Sequence, residues 1–486
     1  MNQNTVAVDR PEDERLPFGA TLAYGLQHVL TMYGGIIAPP LIIGSMAGLN
    51  GAEIGVLITA CLFMGGLATI LQTLGVPFFG SQLPLVQGVS FAGVATMGAI
   101  VTSGGGLPAV LGSVIAASLI GLLVAPVFAK IIRFFPPVVT GVVITTIGLT
   151  LLPVAAGWAM GGVSDAPDFG SQQNLLLAAL TLVIVLVLSK VPIGAISRLA
   201  ILLAMVIGTI IAAFMGMVDF GGVLDGPIFA IPTPFAFGMP TFEIAAIISM
   251  LIVVLVTLTE TTADIIAVGD IIGTKVDSKR IAAGLRADML SSAVSPVFGS
   301  FTQSAFAQNV GLVAITGVKS RFVVTAGGAV LVVLGLLPVL GRVVAAVPTP
   351  VLGGAGIVLF GSVAASGIRT LSKVDYRGNM NLIIVAASIG IAMLPIAAPT
   401  ISDQMPAWFN TIFHSGISSA AVAAIILNLL FNHLGGAGKD GSALAAAPTR
   451  SIPIAYLEAF EDGDSVIDGR IVDRDGREVP LDHPAR

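Results

Sequence analysis

The chain is expected to be an all-α polytopic membrane protein with fourteen spans arranged as two inverted repeats of seven. Three observations predict this: little charge away from the chain ends, a loop pattern of Lys and Arg, and an internal repeat whose copies face opposite sides.

Of 486 residues, 55% are hydrophobic and 10% are charged, against about 25% charged in an ordinary soluble domain. The charges are concentrated in the tails. Residues 437–486 hold six Lys/Arg and ten Asp/Glu, and residues 1–16 hold two and four. Residues 17–436 are left with fourteen basic and thirteen acidic side chains. A soluble fold of that length needs far more polar surface, whereas helices surrounded by membrane lipid need none. The net charge of −5 sits mostly in the C-terminal tail, and no basic run points to nucleic acid. Cys61 is the single cysteine, which excludes an internal disulfide and reads as a small apolar helix residue. The N-terminus is polar and mixed in charge, without a basic segment leading to a cleavage site. The first apolar segment is therefore expected to remain as a span.

A span needs roughly 20 apolar residues. Such runs fall at 18–39, 52–74, 84–102, 108–131, 138–156, 173–190, 198–216, 242–268, 281–298, 303–317, 321–341, 350–367, 380–397 and 417–435. The third and tenth are short and rich in Gly and polar residues. Lys and Arg accumulate in cytoplasmic loops. With the N-terminus inside, the inner loops hold Lys130 and Arg133, Lys190 and Arg198, Lys275, Lys279 and Arg280, Lys319 and Arg321, and Arg369, Lys373 and Arg377. The outer loops hold one basic residue, Arg342, together with Asp165, Asp168, Asp219, Asp225 and Asp403. Both termini are thus expected in the cytoplasm. The tail from Ala437 begins as a linker, and SVIDGRIVDRDGREV beyond it reads either as a small hairpin around its Asp-Gly pairs or as disordered.

The repeat relates residues 120–148 to 334–361. Gly121-Leu122-Leu123 matches Gly335-Leu336-Leu337, and Pro137-Val138, Gly141 and Gly148 match Pro350-Val351, Gly354 and Gly361. The first copy's turn lies inside and the second copy's outside, so the repeats are inverted. Inverted repeats mark secondary transporters, whose sites lie near the bilayer midplane at discontinuous helices. The interrupted third and tenth spans are the natural positions.

Acids inside a membrane are costly and usually functional. Glu260 and Asp264 follow the apolar run AIISMLIVVLVTLT four residues apart, on one helix face, and Asp288 lies in the ninth span. The bland alternative, an acid paired with a base for packing alone, needs a Lys or Arg in a neighbouring span, and none is expected there. The tenth span offers Thr302, Gln303, Ser304, Gln308, Asn309 and Thr316 with Gly299 and Gly311. Gln and Asn donate and accept at once, which suits a flat heterocycle with alternating N–H and C=O edges; interhelical glue is the alternative. The third span offers Gln87, Gly88, Ser90 and Phe91, the last as a stacking face, and the first span carries Gln27-His28. Four His and no HExxH motif or nucleophile–base pair argue against an enzyme, and a buried acid pair within an inverted repeat argues against a channel.

The stretch Gln308-Asn309-Val310-Gly311-Leu312-Val313-Ala314-Ile315-Thr316-Gly317 resembles the signature of the nucleobase–ascorbate (xanthine/uracil permease) transporter family. Gln27-His28 is similar to the family's first-span pair, and Glu260 with Asp264 to its eighth-span carboxylates. The likeness runs over residues 17–435 and leaves out the tails. It implies a core domain (spans 1–4 and 8–11; residues 17–135 and 240–345) that holds substrate. A gate domain (spans 5–7 and 12–14; residues 136–216 and 346–436) would mediate a homodimer contact and elevator-like motion, with cytoplasmic tails at 1–16 and 437–486. Uracil-type members carry an acid where this chain has Gln308, and purine-type members, taking xanthine or uric acid, carry Gln. By that resemblance Glu260 binds ring N–H groups, Gln308 holds the opposite polar edge, and Phe91 and Ala307 add backbone contacts. Asp264, Asp288, Asn309, His28 and Gln27 support the site or the proton path. No cofactor or bound metal is expected, only a co-transported proton, with sodium as the other coupling ion. Burial disfavours the charged form of a carboxyl, which suits proton symport. The expectation is import of a purine nucleobase across the cell (inner) membrane; a uracil permease or an anion carrier of the same fold is the alternative.

Overall fold

The computed structural model describes residues 10–434 apart from 132–135, 193–195, 198, 219, 222, 378–379, 403, 407–408, 411–412 and 414, and also 465–467 and 470–472. Arg133, Arg198, Asp219, Asp403 and the linker at 437–450 lie outside the described residues. Residues Met1–Leu429 form one compact unit and Leu430–Arg486 another. In the second, strands β3 (Ser465–Ile467) and β4 (Arg470–Val472) pair antiparallel, which selects the hairpin reading for that stretch of the tail.

The first unit is mostly helical, with a helix in each segment the sequence marks. The first half holds α1 (Phe18–Met46), α2 (Gly51–Leu74), strand β1 (Gln87–Val89) and α3 (Val94–Ile100). It continues with α4 (Gly106–Ile131), α5 (Pro137–Ala159), α6 (Gln172–Lys190) and α7 (Ala200–Phe214). The second half holds α8 (Ile244–Ile272), α9 (Ser278–Val294), strand β2 (Gln303–Ala305), α10 (Ala307–Thr316) and α11 (Arg321–Gly335). It ends with α12 (Pro338–Ala345), α13 (Thr349–Leu371), α14 (Met380–Ala397) and α15 (Gly416–Asn428). Among the described residues, nine helices are long and apolar enough to cross a membrane, or ten if the bent pair α11–α12 is one span. The protein is therefore an integral membrane protein. The eleventh expected span is not straight: α11 and α12 are bent by 79°, where Pro338 removes a backbone donor and cannot continue the helix. The third and fourth expected spans part at Gly104, whose φ of 98° no side-chain-bearing residue adopts readily.

The ends of these helices are written in the sequence. Asn50 and Glu53 form a reciprocal capping box at the start of α2, so Glu53 is a cap. Asp277 caps α9 and Ser415 caps α15, each accepting an N–H from the first turn. Gly273 closes α8 in the left-handed conformation.

The two copies of the repeat pack against one another. Helix α5 lies antiparallel on α13, since Gly141 meets Leu371, Gly148 meets Ala364 and Gly353 meets Ala159. A Cβ on Gly148 would overlap the backbone of Ala364 and the Phe360 carbonyl. Small residues of this kind let helix backbones touch where lipid supplies no hydrophobic drive. Helix α2 runs antiparallel along α11 and α12 in the same way, with Gly66 against Gly328 and Gly55 against Gly341.

Basic residues serve carbonyls and the chain ends. Arg342 donates to Val223 O at 2.7 Å and Pro227 O at 3.2 Å, pinning the long connection between α7 and α8. Arg286 lies inside the ninth expected span, two residues from Asp288, and corrects the expectation that no base sits there. It donates to Phe78 O at 2.7 Å and pairs with no acid among the described residues. Near the N-terminus, a short turn at Pro11–Asp13 is strapped across the helix ends. The fully buried Glu12 pairs with Arg280 at 2.6 Å and Arg10 at 3.0 Å. Asp13 pairs with Arg321 at 2.6 Å, and Arg321 also donates to the Thr73 and Leu74 carbonyls ending α2.

Candidate functional site

The interrupted spans meet as a two-stranded ladder within the helical unit. Gln87 pairs with Ala305, Gly88 with Ser304 and Val89 with Gln303. The Ser90 N–H donates to Thr302 O at 2.8 Å and the Phe306 N–H to Val86 O at 3.0 Å, extending the pairing at both ends. Because the strands are antiparallel, the helix starts that follow them lie at opposite ends of the ladder. Extended backbone at this depth is tolerated only inside protein or beside a cavity, and every residue of both strands is buried. Phe306 wedges the assembly: its ring fills the space left by the missing side chains of Gly35 on α1 and Gly88 on β1.

Each strand opens a helix. Ser90 caps the turn at Phe91–Gly93 through its Oγ, which accepts from Ala92 N at 3.2 Å. Phe306 gives α10 no side-chain cap, and the Ala307 and Gln308 N–H groups have no partner among the described residues. Ala307 and Gln308 are both exposed. The start of α10 thus presents free donors, and its dipole favours a negative or carbonyl oxygen there.

Helix α8 packs on β2 and α10 and brings the acids. Glu260 and Asp264 are partly exposed, one turn apart, and no bond to either is found among the described residues. Between them Thr261 is buried, its hydroxyl accepting from Ala305 N at 3.3 Å and donating to Asp288 Oδ2. Asp288 itself is 1% exposed, and its Oδ1 has no partner. Asp264 follows Glu260 by one turn of α8, and Thr261 of that same turn joins them to Asp288 on α9. The three acids therefore form one group, two toward the open side and one closed behind a threonine.

His28 and Asn309 are both buried and bonded. Asn309 Nδ2 lies 3.0 Å from His28 O and 3.0 Å from His28 Nδ1. A carbonyl only accepts, so the atom facing it is the amide NH2; Nδ1 then accepts as well, and a neutral ring carries its proton on Nε2. The pair fixes the first turn of α10 to α1. Gln27 is half-buried on the adjoining face; the Thr31 Oγ1 hydroxyl donates to its backbone carbonyl, and its side chain has no partner among the described residues. The structure does not tie its side chain to the site.

The other polar residues divide. Gln303 turns its amide to Ser300 Oγ and Phe301 O, and Thr316 bonds back to Leu312 O within α10, so these bonds are local and do not bridge helices. Phe91 sets its ring edge-on to Phe360 of α13 at 6.2 Å, so it bridges to α13. Thr261, Phe306 and Ser292, whose Oγ accepts from Gln303 N at 2.8 Å, were not singled out from the sequence. Thr261 was legible as a hydroxyl between two acids of one span; the other two depend on tertiary neighbours. Two surface cavities, one beside Arg280 and one beside Met46, are not lined by any candidate site residue.

The chain matches the Permease family model of xanthine and uracil permeases over residues 19–401. It is 40% identical over 430 residues to the uric acid transporter UacT of Escherichia coli, covering 87% of this chain and 89% of that one. It is 41% identical over 415 residues to the xanthine permease of Bacillus subtilis, covering 85% and 94%. In fold it is similar to the transmembrane domain of the cyanobacterial bicarbonate transporter BicA (TM-score 0.53, 16% identity, 86% of this chain and 100% of that one). It is similar also to SLC26A9 (TM-score 0.58, 13% identity, 96% and 71%). With an interrupted-span ladder, a membrane carboxylate group and the tenth-span motif in place, the chain belongs to the xanthine/uracil permease family, as a transporter of small molecules and not an enzyme.

Proposed function

We propose that the protein imports a purine nucleobase, xanthine or uric acid, by proton symport with an elevator-like alternation of access. The observation that carries this is an acceptor group, Glu260, on a helix that packs on α10, together with the uncapped start of α10 at Ala307-Gln308. A purine carries N–H and C=O groups around one plane, and this arrangement offers acceptors and donors to match. Glu260 would take ring N–H groups and Gln308 the opposite edge, with the backbone at Phe91 and Ala307 adding contacts. Asp264, Asp288, Asn309 and His28 would hold these groups in place or pass the proton. Sodium is the other ion that such oxygens suit.

The relatives named for uric acid and xanthine support a purine. Gln308, an amide where the resemblance gives uracil-type members an acid, supports it again. An anion carrier of the same fold, as in the bicarbonate transporter, wants a cation at its site; here three carboxylates lie beside the ladder, and His28 accepts through Nδ1 from Asn309 as a neutral ring. The chain would then have fourteen spans, a core of residues 17–135 and 240–345 and a gate of residues 136–216 and 346–436, a division that the helix packing supports. Helix α5 lies chiefly on α13 and α15, and α2 on α11 and α12. The gate would form the homodimer contact, in the cell membrane with both termini cytoplasmic. Uptake of labelled xanthine, uric acid, guanine, hypoxanthine and uracil into proteoliposomes, with and without a protonophore, tests the proposal. Uptake of uracil alone, or purine uptake indifferent to the protonophore, would contradict it.

A further inference from the structure

Where the N-terminal turn is strapped down, a cavity of about 810 Å3 opens between the turn at 75–80 and the start of α9. Four cations line it, Arg10, Lys275, Lys279 and Arg280, against one carboxylate, Asp277. The arginines are already committed. Arg10 and Arg280 both hold Glu12, and Arg280 also donates to the Ser81 and Gln82 carbonyls. Asp277 is occupied as the cap of α9, accepting from Arg280 N at 2.8 Å. Lys275 and Lys279 differ from these. Both are exposed, and neither ammonium group has a partner among the described residues. The cavity therefore carries uncompensated positive charge from two lysines against a background that Glu12 only partly offsets.

Its rim is apolar. Val76 and Phe78 are 54% and 75% exposed. Phe78 is held at φ 73°, a conformation that a bulky residue keeps only under constraint. The constraint is visible: Val76 and Phe79 bridge across the turn, and Arg286 donates to the Phe78 carbonyl. The turn is fixed with its aromatic side chain outward beside the lysines.

We propose that this cavity binds a phosphate ester anion, with Lys275 and Lys279 as its counter-charges. The volume lies in the range of small-molecule sites, about 300–1,000 Å3, and exceeds what a bare phosphate fills. The ligand therefore has a body beyond its phosphate. The apolar rim fits the glycerol and first acyl carbons of an anionic phospholipid. In the proposed orientation this end faces the inner leaflet, whose negative lipids attract Lys and Arg. A soluble phosphate ester shares the head-group chemistry but makes no use of Val76 and Phe78.

The test is thermal unfolding of the full-length protein in detergent, with phosphatidylglycerol, phosphatidylcholine or glycerol 3-phosphate added. The native chain is compared with Lys275→Gln/Lys279→Gln and, as a control, Lys373→Gln. Both target lysines are exposed, so the double variant keeps the native midpoint without ligand. Phosphatidylglycerol, and not phosphatidylcholine, should raise the midpoint by about 5 °C at saturation. That rise should be lost in the double variant and kept in the control. A rise with glycerol 3-phosphate that the double variant loses also supports the site and assigns it to a soluble ester. An equal rise in native and double variant, or no rise with either phosphate probe, overturns it. The readout is binding, so its failure is separate from any failure of purine uptake.

Discussion

Thr261 joins three parts of the site with one hydroxyl: it sits beside Glu260, accepts from the Ala305 N–H and donates to Asp288. Replacing it with Val keeps the shape but leaves a buried N–H and a buried carboxyl oxygen unpaired, each at about 1–3 kcal/mol. Thr261→Val should lower both the melting midpoint and uptake, and Thr261→Ser should restore both; a Val variant of native stability and uptake would show the relay to be idle. Gln308 is open, and its amide both donates and accepts where a carboxylate only accepts. Gln308→Glu should cut purine uptake by about threefold to tenfold, the worth of one hydrogen bond, and admit uracil. Unchanged selectivity would remove Gln308 from base reading. Glu260 and Asp264 were legible in the sequence because helical spacing alone puts them on one face. The wedge of Phe306 between Gly35 and Gly88 was not, since nothing local marks three residues from three elements as neighbours.

At the scale of elements, the ladder was the least legible feature. QGV and QSA are too short to carry an alternating pattern, and the sequence marked them only as polar, Gly-rich interruptions. Their pairing is decided by the need to satisfy backbone groups in a dry interior. The repeat was legible, yet it hides an asymmetry. Gly148 and Gly361 occupy matching positions, but a Cβ on Gly148 would overlap α13, whereas Gly361 has open space around it. Gly148→Val should destabilise the protein by about 1–3 kcal/mol or more and reduce the folded yield. Gly361→Val should be tolerated, as read from size-exclusion profiles of the two variants; equal profiles would contradict the packing of α5 on α13.

Across the molecule, the N-terminal strap binds the ends of α2, α9 and α11 through Glu12, Asp13 and their arginines. Burial pushes the Glu12 carboxyl up, but the hydrogen bonds from its own backbone N–H, from Arg280 and from Arg10 outweigh burial and hold it below its ordinary 4.5. A carboxyl lowered in the folded state contributes stability above its unfolded value, and that stability is lost as pH falls through the folded one. The melting midpoint should therefore drop as pH is taken below 4.5. Glu12→Gln should cost about 1.5–3 kcal/mol at neutral pH, the worth of a charged hydrogen bond, and flatten that acid-side drop. An unchanged pH profile in the variant would show that Glu12 does not carry it.

The central claim is that Glu260 couples a purine to a proton. Its most direct test is accumulation of labelled xanthine and uric acid in proteoliposomes under an imposed inward proton gradient, for the native chain and Glu260→Gln. The native chain should concentrate base and lose that ability with a protonophore, and Glu260→Gln should fail to concentrate it at all. Full, gradient-driven accumulation by Glu260→Gln would contradict the account.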